Sequence, residues 1–320
     1  MPFQIDKDMR QKFSKTVKAM RDRLCQRPNN TILRKEIVKR GLGKFNLSRK
    51  LSEKDLSKIV EKGGVVGVDG STNSGGGVFP YRVTLQHSLA EACHIRDKAI
   101  RLTDVFSPLL LPEPMKEEDY REFAKENLAQ LEVTTALMAL QEFRPKVLLM
   151  DGSLVRFKIE AQNLWDNLVS KATTMDCLLI GVVEGISTEI LSSNLRSSLP
   201  EEMAYCYDWE ILFGLLEMGE VLEMVPGLFK EGFRTCFIRT SLDPKPIGLD
   251  LLEEQQHLLR DAENLVYSLC PKDGRGIPLW LDIIDRKVRI TDEMVDEMLR
   301  AYLGDDYMHF LTPKRRERNF

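Results

Sequence analysis

Two short apolar runs that each end in Asp-Gly-Ser constrain this chain more than any other feature. Val65-Val66-Gly67-Val68 runs into Asp69-Gly70-Ser71, and Val147-Leu148-Leu149-Met150 runs into Asp151-Gly152-Ser153. Four mostly aliphatic residues without polar alternation predict a strand with no solvent face, and the Asp-Gly that follows predicts a tight turn at its C-terminal end. If the two strands lie side by side, about 4.8 Å apart, Asp69 and Asp151 meet at one sheet edge. Like charges repel there unless a proton or a cation stands between them, and a divalent metal is the natural third party.

The rest of the chain divides around these strands. Residues 1–62 read as a highly charged N-terminal helical arm, with Phe13, Val17, Met20 and Leu24 at helical spacing, a break at Arg27-Pro28-Asn29-Asn30, and Ser52 with Asp55 as a capping signal. Residues 63–320 read as a second unit. Strands are expected over 78–89, as a hairpin return from Gly75-Gly76-Gly77, and over 99–106. Pro108, Pro112 and Pro114 then precede a long helix over 116–143. After the second Asp-Gly-Ser strand come a helix near 157–171, a strand at 177–183, helix and loop to Gly232, a strand at 233–240, and one helix over 249–269. Helices at 278–287 and 292–303 and a basic tail at 314–320 finish the chain. This order predicts a mixed α/β sheet rather than a pure βαβ array, with the two Asp-Gly-Ser strands as central neighbours.

Composition narrows the function classes. With 320 residues and a net charge of -3 there is no global basic signature, so any nucleic-acid contact has to come from a local patch. The six cysteines form no Cys-x-x-Cys pair, which predicts a reduced, cytoplasmic setting. The longest uninterrupted apolar stretch, 177–183, is far too short to span a bilayer, and no targeting segment is visible.

The long helix offers a third acid. Leu128, Leu131, Ala136, Met138 and Ala139 share an arc centred within roughly 40° of Glu132, which therefore points inward, whereas Glu126 lies towards the polar side. An inward glutamate needs compensation, either a buried ion pair or proton or a metal. Asp282 and Asp285, three apart on one helix face, add a further candidate, with Arg286 and Arg289 as their partners if the face is merely solvated. Three or four carboxylates around one point suit Mg²⁺ or Mn²⁺, and two such ions about 4 Å apart can drive phosphodiester cleavage. Arg156, just beyond the second turn, together with Arg289 and the tail residues Lys314, Arg315 and Arg316, are candidate contacts to backbone phosphates.

Other chemistry is weakly represented. The four histidines show no zinc spacing, and no Gly-x-Ser-x-Gly, His-Glu-x-x-His or Walker A pattern occurs. Ser71 and Ser153 lack an identifiable base, so turn hydrogen bonding is their expected role. Glu184 closes the 177–183 strand and is placed either at the same sheet edge or as a cap of the next helix.

The combination of VVGVDGS, an inward Glu132, VLLMDGSL and PLWLDIIDRKVRIT resembles the NurA nuclease family over most of residues 61–291. That resemblance implies an RNase H-like core and Mn²⁺-dependent DNA cleavage, both as an endonuclease and as a 5′ to 3′ exonuclease. It also implies a homodimer working with a HerA-type hexameric ATPase in DNA end processing. Asp69, Glu132 and Asp151 match the family's metal-binding acids. Asp285 falls where many members have a histidine, and Glu184 stands near a position often held by lysine. Under this reading residues 63–320 are the nuclease domain, and the arm serves dimerisation or ATPase docking.

Two rival readings accompany it. An actin-like or sugar-kinase-like phosphotransferase would use the glycine-rich DGSTNSGGG stretch as a phosphate loop, but it needs a second such loop. A NurA-like subunit without turnover would act as a scaffold for the ATPase.

Overall fold

A computed structural model describes residues 6–95, 98–203 and 205–310. The basic tail, with Lys314, Arg315 and Arg316, lies outside the described residues, as does the side chain of Leu24.

The arm opens with α1 (Lys7–Cys25) and α2 (Asn30–Lys39) and continues through strand β1 (Gly43–Leu47) to α3 (Glu53–Glu61). Ser52 caps α3 as expected, its hydroxyl accepting from the Asp55 amide at 3.2 Å. The arm is not helical throughout, because β1 interrupts it. This five-residue strand shows no alternation strong enough to stand out in the sequence, and it forms by pairing with a partner far along the chain.

Then come β2 (Val65–Gly76), β3 (Arg82–Ala92) and β4 (Ala99–Phe106), the long helix α4 (Glu117–Phe143), and β5 (Val147–Asp151). Helices α5 (Leu154–Glu160) and α6 (Gln162–Thr174) follow where one helix is expected, divided at Ala161. The rest is β6 (Leu178–Val183), α7 (Ile190–Leu195), α8 (Asp208–Leu212), β7 (Glu220–Met224), β8 (Phe233–Ile238), β9 (Ile247–Leu252), and helices α9 (Leu259–Leu269), α10 (Leu279–Val288) and α11 (Asp292–Leu303).

Among the described residues nine strands form one sheet in the order β1-β7-β8-β9-β6-β5-β2-β3-β4. β2 and β5 are parallel neighbours with Val65 opposite Val147 and Val68 opposite Met150, so the two Asp-Gly-Ser strands lie side by side as expected. β5 and β6 are also parallel, and the remaining pairs are antiparallel.

Three further expectations change here, the first being that β7 forms within the stretch expected as helix and loop to Gly232, because β1 and β8 pair with it on either side. The single helix expected over 249–269 is β9, a 3-10 turn (Glu253–Leu258) and α9. A short apolar run such as Ile247–Leu252 has the same appearance in a buried strand and in a helix, and sheet pairing with β6 and β8 decides it. The glycine-rich stretch is not a loop, since Gly70 to Gly76 pair residue by residue with Ser88 to Arg82 of β3. That removes the phosphate loop on which the phosphotransferase reading depends.

Helices cover both faces. On one, α4, α5 and α6 pack over Val66, Val68, Leu148 and Met150. On the other, Leu281 of α10 and Ala262, Leu265 and Val266 of α9 pack over Val65, Leu149 and Ile180. Gly67 permits the approach of α10, since a Cβ there would stand 2.6 Å from Ile284 Cδ1. The fold is a mixed α/β sheet flanked by helices on both faces. No described helix is long and apolar enough to cross a membrane.

Candidate functional site

Asp151 closes β5, whereas Asp69 lies part-way along β2, where its parallel pairing with β5 stops and its pairing with β3 continues. The β2–β5 ladder ends with Val68 opposite Met150, and Asp69 and Asp151 come next on each strand. Both carboxylates line one cleft of about 560 Å³, together with Glu132. Glu132 reaches them from α4 with 1% exposure, as its inward position predicts, although Met138 of the expected inward arc is exposed. Gly70 makes room: a Cβ there would stand 2.7 Å from Glu132 Cγ and 3.0 Å from its Oε1. The glycine after the first aspartate therefore sets how closely Glu132 approaches Asp69.

Burial and mutual repulsion act on all three groups. Burial first, then the charges of Asp151 and Glu132, push the Asp69 carboxyl up to about 8 despite the bond its Oδ1 accepts from the Gly70 amide at 2.7 Å. Glu132 is pushed up to about 7 by burial against the opposing pull of Arg156. Asp151 rises to about 6 through burial and the Asp285 charge. Three neighbouring acids that resist ionisation together form a site that gains from a bound cation.

Arg156 of α5 supplies one positive charge. Its Nη2 donates to Glu132 Oε2, and its Nε stands 3.9 Å from Glu160. Asp285 does not line the cleft. It presses on Asp151 and Asp69 electrostatically from α10 and pairs with Arg289 at 3.3 Å and Arg275 at 3.7 Å. Arg275 also bridges Glu184 and Asp282, each at 3.4 Å, so Glu184 does reach this sheet edge. Arg289 is exposed and turned to Asp285.

Among the described residues no three acid, histidine or cysteine side chains stand close enough together to hold an ion as they are placed. The donor set itself fits a hard divalent cation, being oxygen-only, buried and mutually repelling. Glu132 is engaged with Arg156, and exchange of that partner is what an ion would require.

The NurA domain profile matches residues 63–290, most of the chain. The chain belongs to the NurA domain family. A crystal structure of NurA aligns with this NurA-family chain at a TM-score of 0.52 and 11% identity, covering 94% of this chain and 99% of that one. The Bacillus subtilis endonuclease V is a more distant likeness, with a TM-score of 0.39, 15% identity, and 82% and 88% of the two chains covered. The catalytic domain of human endonuclease V gives a TM-score of 0.40, 15% identity, and 86% and 97% coverage. No curated protein sequence matches. NurA membership supports a nuclease acting on DNA.

The structure adds cleft residues that the sequence did not single out. Lys230, in the loop before β8, reaches Asp250 Oδ2 of β9 at 2.5 Å and the Ser153 hydroxyl at 2.9 Å. Asp250 is wholly buried, and it also accepts from Thr235 Oγ1 at 2.9 Å and the Leu154 amide at 3.2 Å. A fixed ammonium thus stands beside the second Asp-Gly-Ser turn. The only sequence signal was an aspartate inside the apolar run Ile247–Leu252, and it was obscured by assigning most of that run to a helix.

Proposed function

We propose that this NurA-family chain is a metal-dependent DNA nuclease, acting as an endonuclease and a 5′ to 3′ exonuclease. Asp69, Glu132 and Asp151 hold Mn²⁺ or Mg²⁺, as a pair of ions, with Asp285 as a further ligand or water-orienting group. The observation that carries this reading is the convergence on one cleft of two buried acids, Asp69 and Glu132, and the half-buried Asp151, which resist ionisation together. When bound, the ions supply the charge that activates water and stabilises the leaving oxygen. The chain's own groups do the positioning. With ions held there, Glu132 would turn from Arg156, whose guanidinium would then be available to hold a backbone phosphate, and Lys230 would offer a second phosphate contact. Arg289, Lys314, Arg315 and Arg316 extend the DNA contact.

In this reading the protein is a cytoplasmic homodimer that works with a HerA-type hexameric ATPase in DNA end processing and repair. Exposed Phe13 and Met20 on α1 support the arm as the contact. One observation favours a second reading, a scaffold subunit for the ATPase: the Arg156–Glu132 ion pair occupies an acid that a metal needs.

The test is cleavage of end-labelled linear DNA and of circular DNA by the purified chain with Mn²⁺, Mg²⁺ or EDTA. Metal-dependent release of 5′ label and nicking of circles are expected. No cleavage with either ion, even with the ATPase added, would establish the scaffold.

A further inference from the structure

A second polar basin, of about 440 Å³, lies on the α9 side of the sheet across β1, β7 and β8. The acidic cleft reaches β8 through Thr235 and Phe237, whereas Arg234 alternates to the opposite face with Cys236 and Ile238, which pack beneath α9. The basin is therefore separate from the acidic cleft. Lys44, Arg234, His257 and Arg260 line it, with Glu223 as its one acid.

The charges there do not balance. Glu223 is satisfied by Lys44 Nζ at 2.9 Å and by the Asn46 amide. Arg260 is satisfied by Glu263 at 2.9 Å and by the Leu47 carbonyl. Arg234 is 8% exposed, and its buried Nη1 meets no hydrogen-bond partner among the described residues. A buried charged donor without a partner is destabilising, and an apolar side chain of similar size would avoid that cost. The natural remedy is an anion brought from outside. A guanidinium fork flanked by lysine, arginine and histidine matches the several oxygens of phosphate better than the two of a carboxylate.

We propose that this basin binds a phosphate group, with Arg234 as its anchor and Lys44 and Arg260 at its rim. The group is carried either by a free phosphate or mononucleotide or by a DNA backbone, and Lys44, which is mostly exposed, forms the entrance.

Thermal unfolding in EDTA at fixed ionic strength tests this without involving cleavage. Inorganic phosphate, a deoxynucleoside monophosphate and a short DNA duplex are titrated separately against chloride controls. A saturable rise in Tm is expected for wild type. Arg234→Met is expected to raise the Tm without phosphate and to abolish the response. Lys44→Ala should weaken the apparent affinity about tenfold, equivalent to about 1.4 kcal/mol, and it carries the test should Arg234→Met fail to fold. A response to phosphate or mononucleotide assigns a small ligand, and a response to duplex alone, lost in the same variants, assigns backbone phosphate. No saturable shift with any of the three, or the same shift in both variants as in wild type, would overturn the proposal.

Discussion

At the scale of single residues, the acids of the cleft are arranged against their own ionisation. Asp69 is pushed up to about 8, Glu132 to about 7 and Asp151 to about 6, all from ordinary values near 4, with burial the first cause in each. A carboxyl whose folded value is raised lends stability that is complete below its unfolded value and is lost as pH rises through the folded one. The metal-free protein is therefore expected to lose stability between about pH 4 and pH 8, read by urea unfolding across that range. Asp69→Asn should flatten the profile, and Mn²⁺ should restore wild type at pH 8 while leaving the variant unmoved. A flat wild-type profile would show that these acids are not held as described. The neighbouring positions of Asp69 and Asp151 were legible in the sequence because apolar runs that lead into Asp-Gly-Ser have few alternatives, although β2 runs on to Gly76 where a turn is expected. Glu132 was legible from helical phase, even though Met138 turned out exposed, because Ala129, Val133 and Ala136 around it are buried.

Among elements, the loop before β8, the β9 strand and the start of α5 are joined by one buried ion pair. Lys230→Met would leave Asp250 buried and unpaired next to the Leu154 amide, and removing one partner of such a pair costs about 3–5 kcal/mol. Chemical denaturation should show that loss, and Lys230→Met/Asp250→Leu should recover part of it. Equal stability of Lys230→Met and wild type would mean the pair is not formed. These elements were the ones the sequence concealed. β1, β7 and β9 are five or six residues long and carry little pattern of their own, so their pairing across the sheet decides their conformation. α4, α10 and α11 are longer and strongly amphipathic or well bounded, and their limits agree with expectation within a few residues.

For the whole molecule, the arm has two parts with different packing. Leu33 and Ile37 of α2 are fully buried, and β1 is an edge strand of the sheet, so both belong to the core. α1 instead exposes Phe13 and Met20, while Arg27 just after it anchors the chain to the Glu210 and Ile211 carbonyls at 3.0 and 2.5 Å. Removal of residues 1–26 is therefore expected to leave folding and the proposed DNA cleavage intact while converting the proposed dimer to a monomer, measured by light scattering during size-exclusion chromatography. A truncated protein that stays dimeric and still binds the ATPase would relieve α1 of both roles. Truncation to residue 45 would instead remove α2 and half of β1 and destabilise the fold itself.

The most direct measurement is the rate at which wild type and Asp151→Asn cleave 5′-end-labelled DNA in Mn²⁺, with folding of both verified by circular dichroism. If Asp151 is a metal ligand as proposed, its loss should lower the rate by more than about 100-fold. A variant that cleaves as fast as wild type would contradict the assignment of this cleft as the nuclease centre.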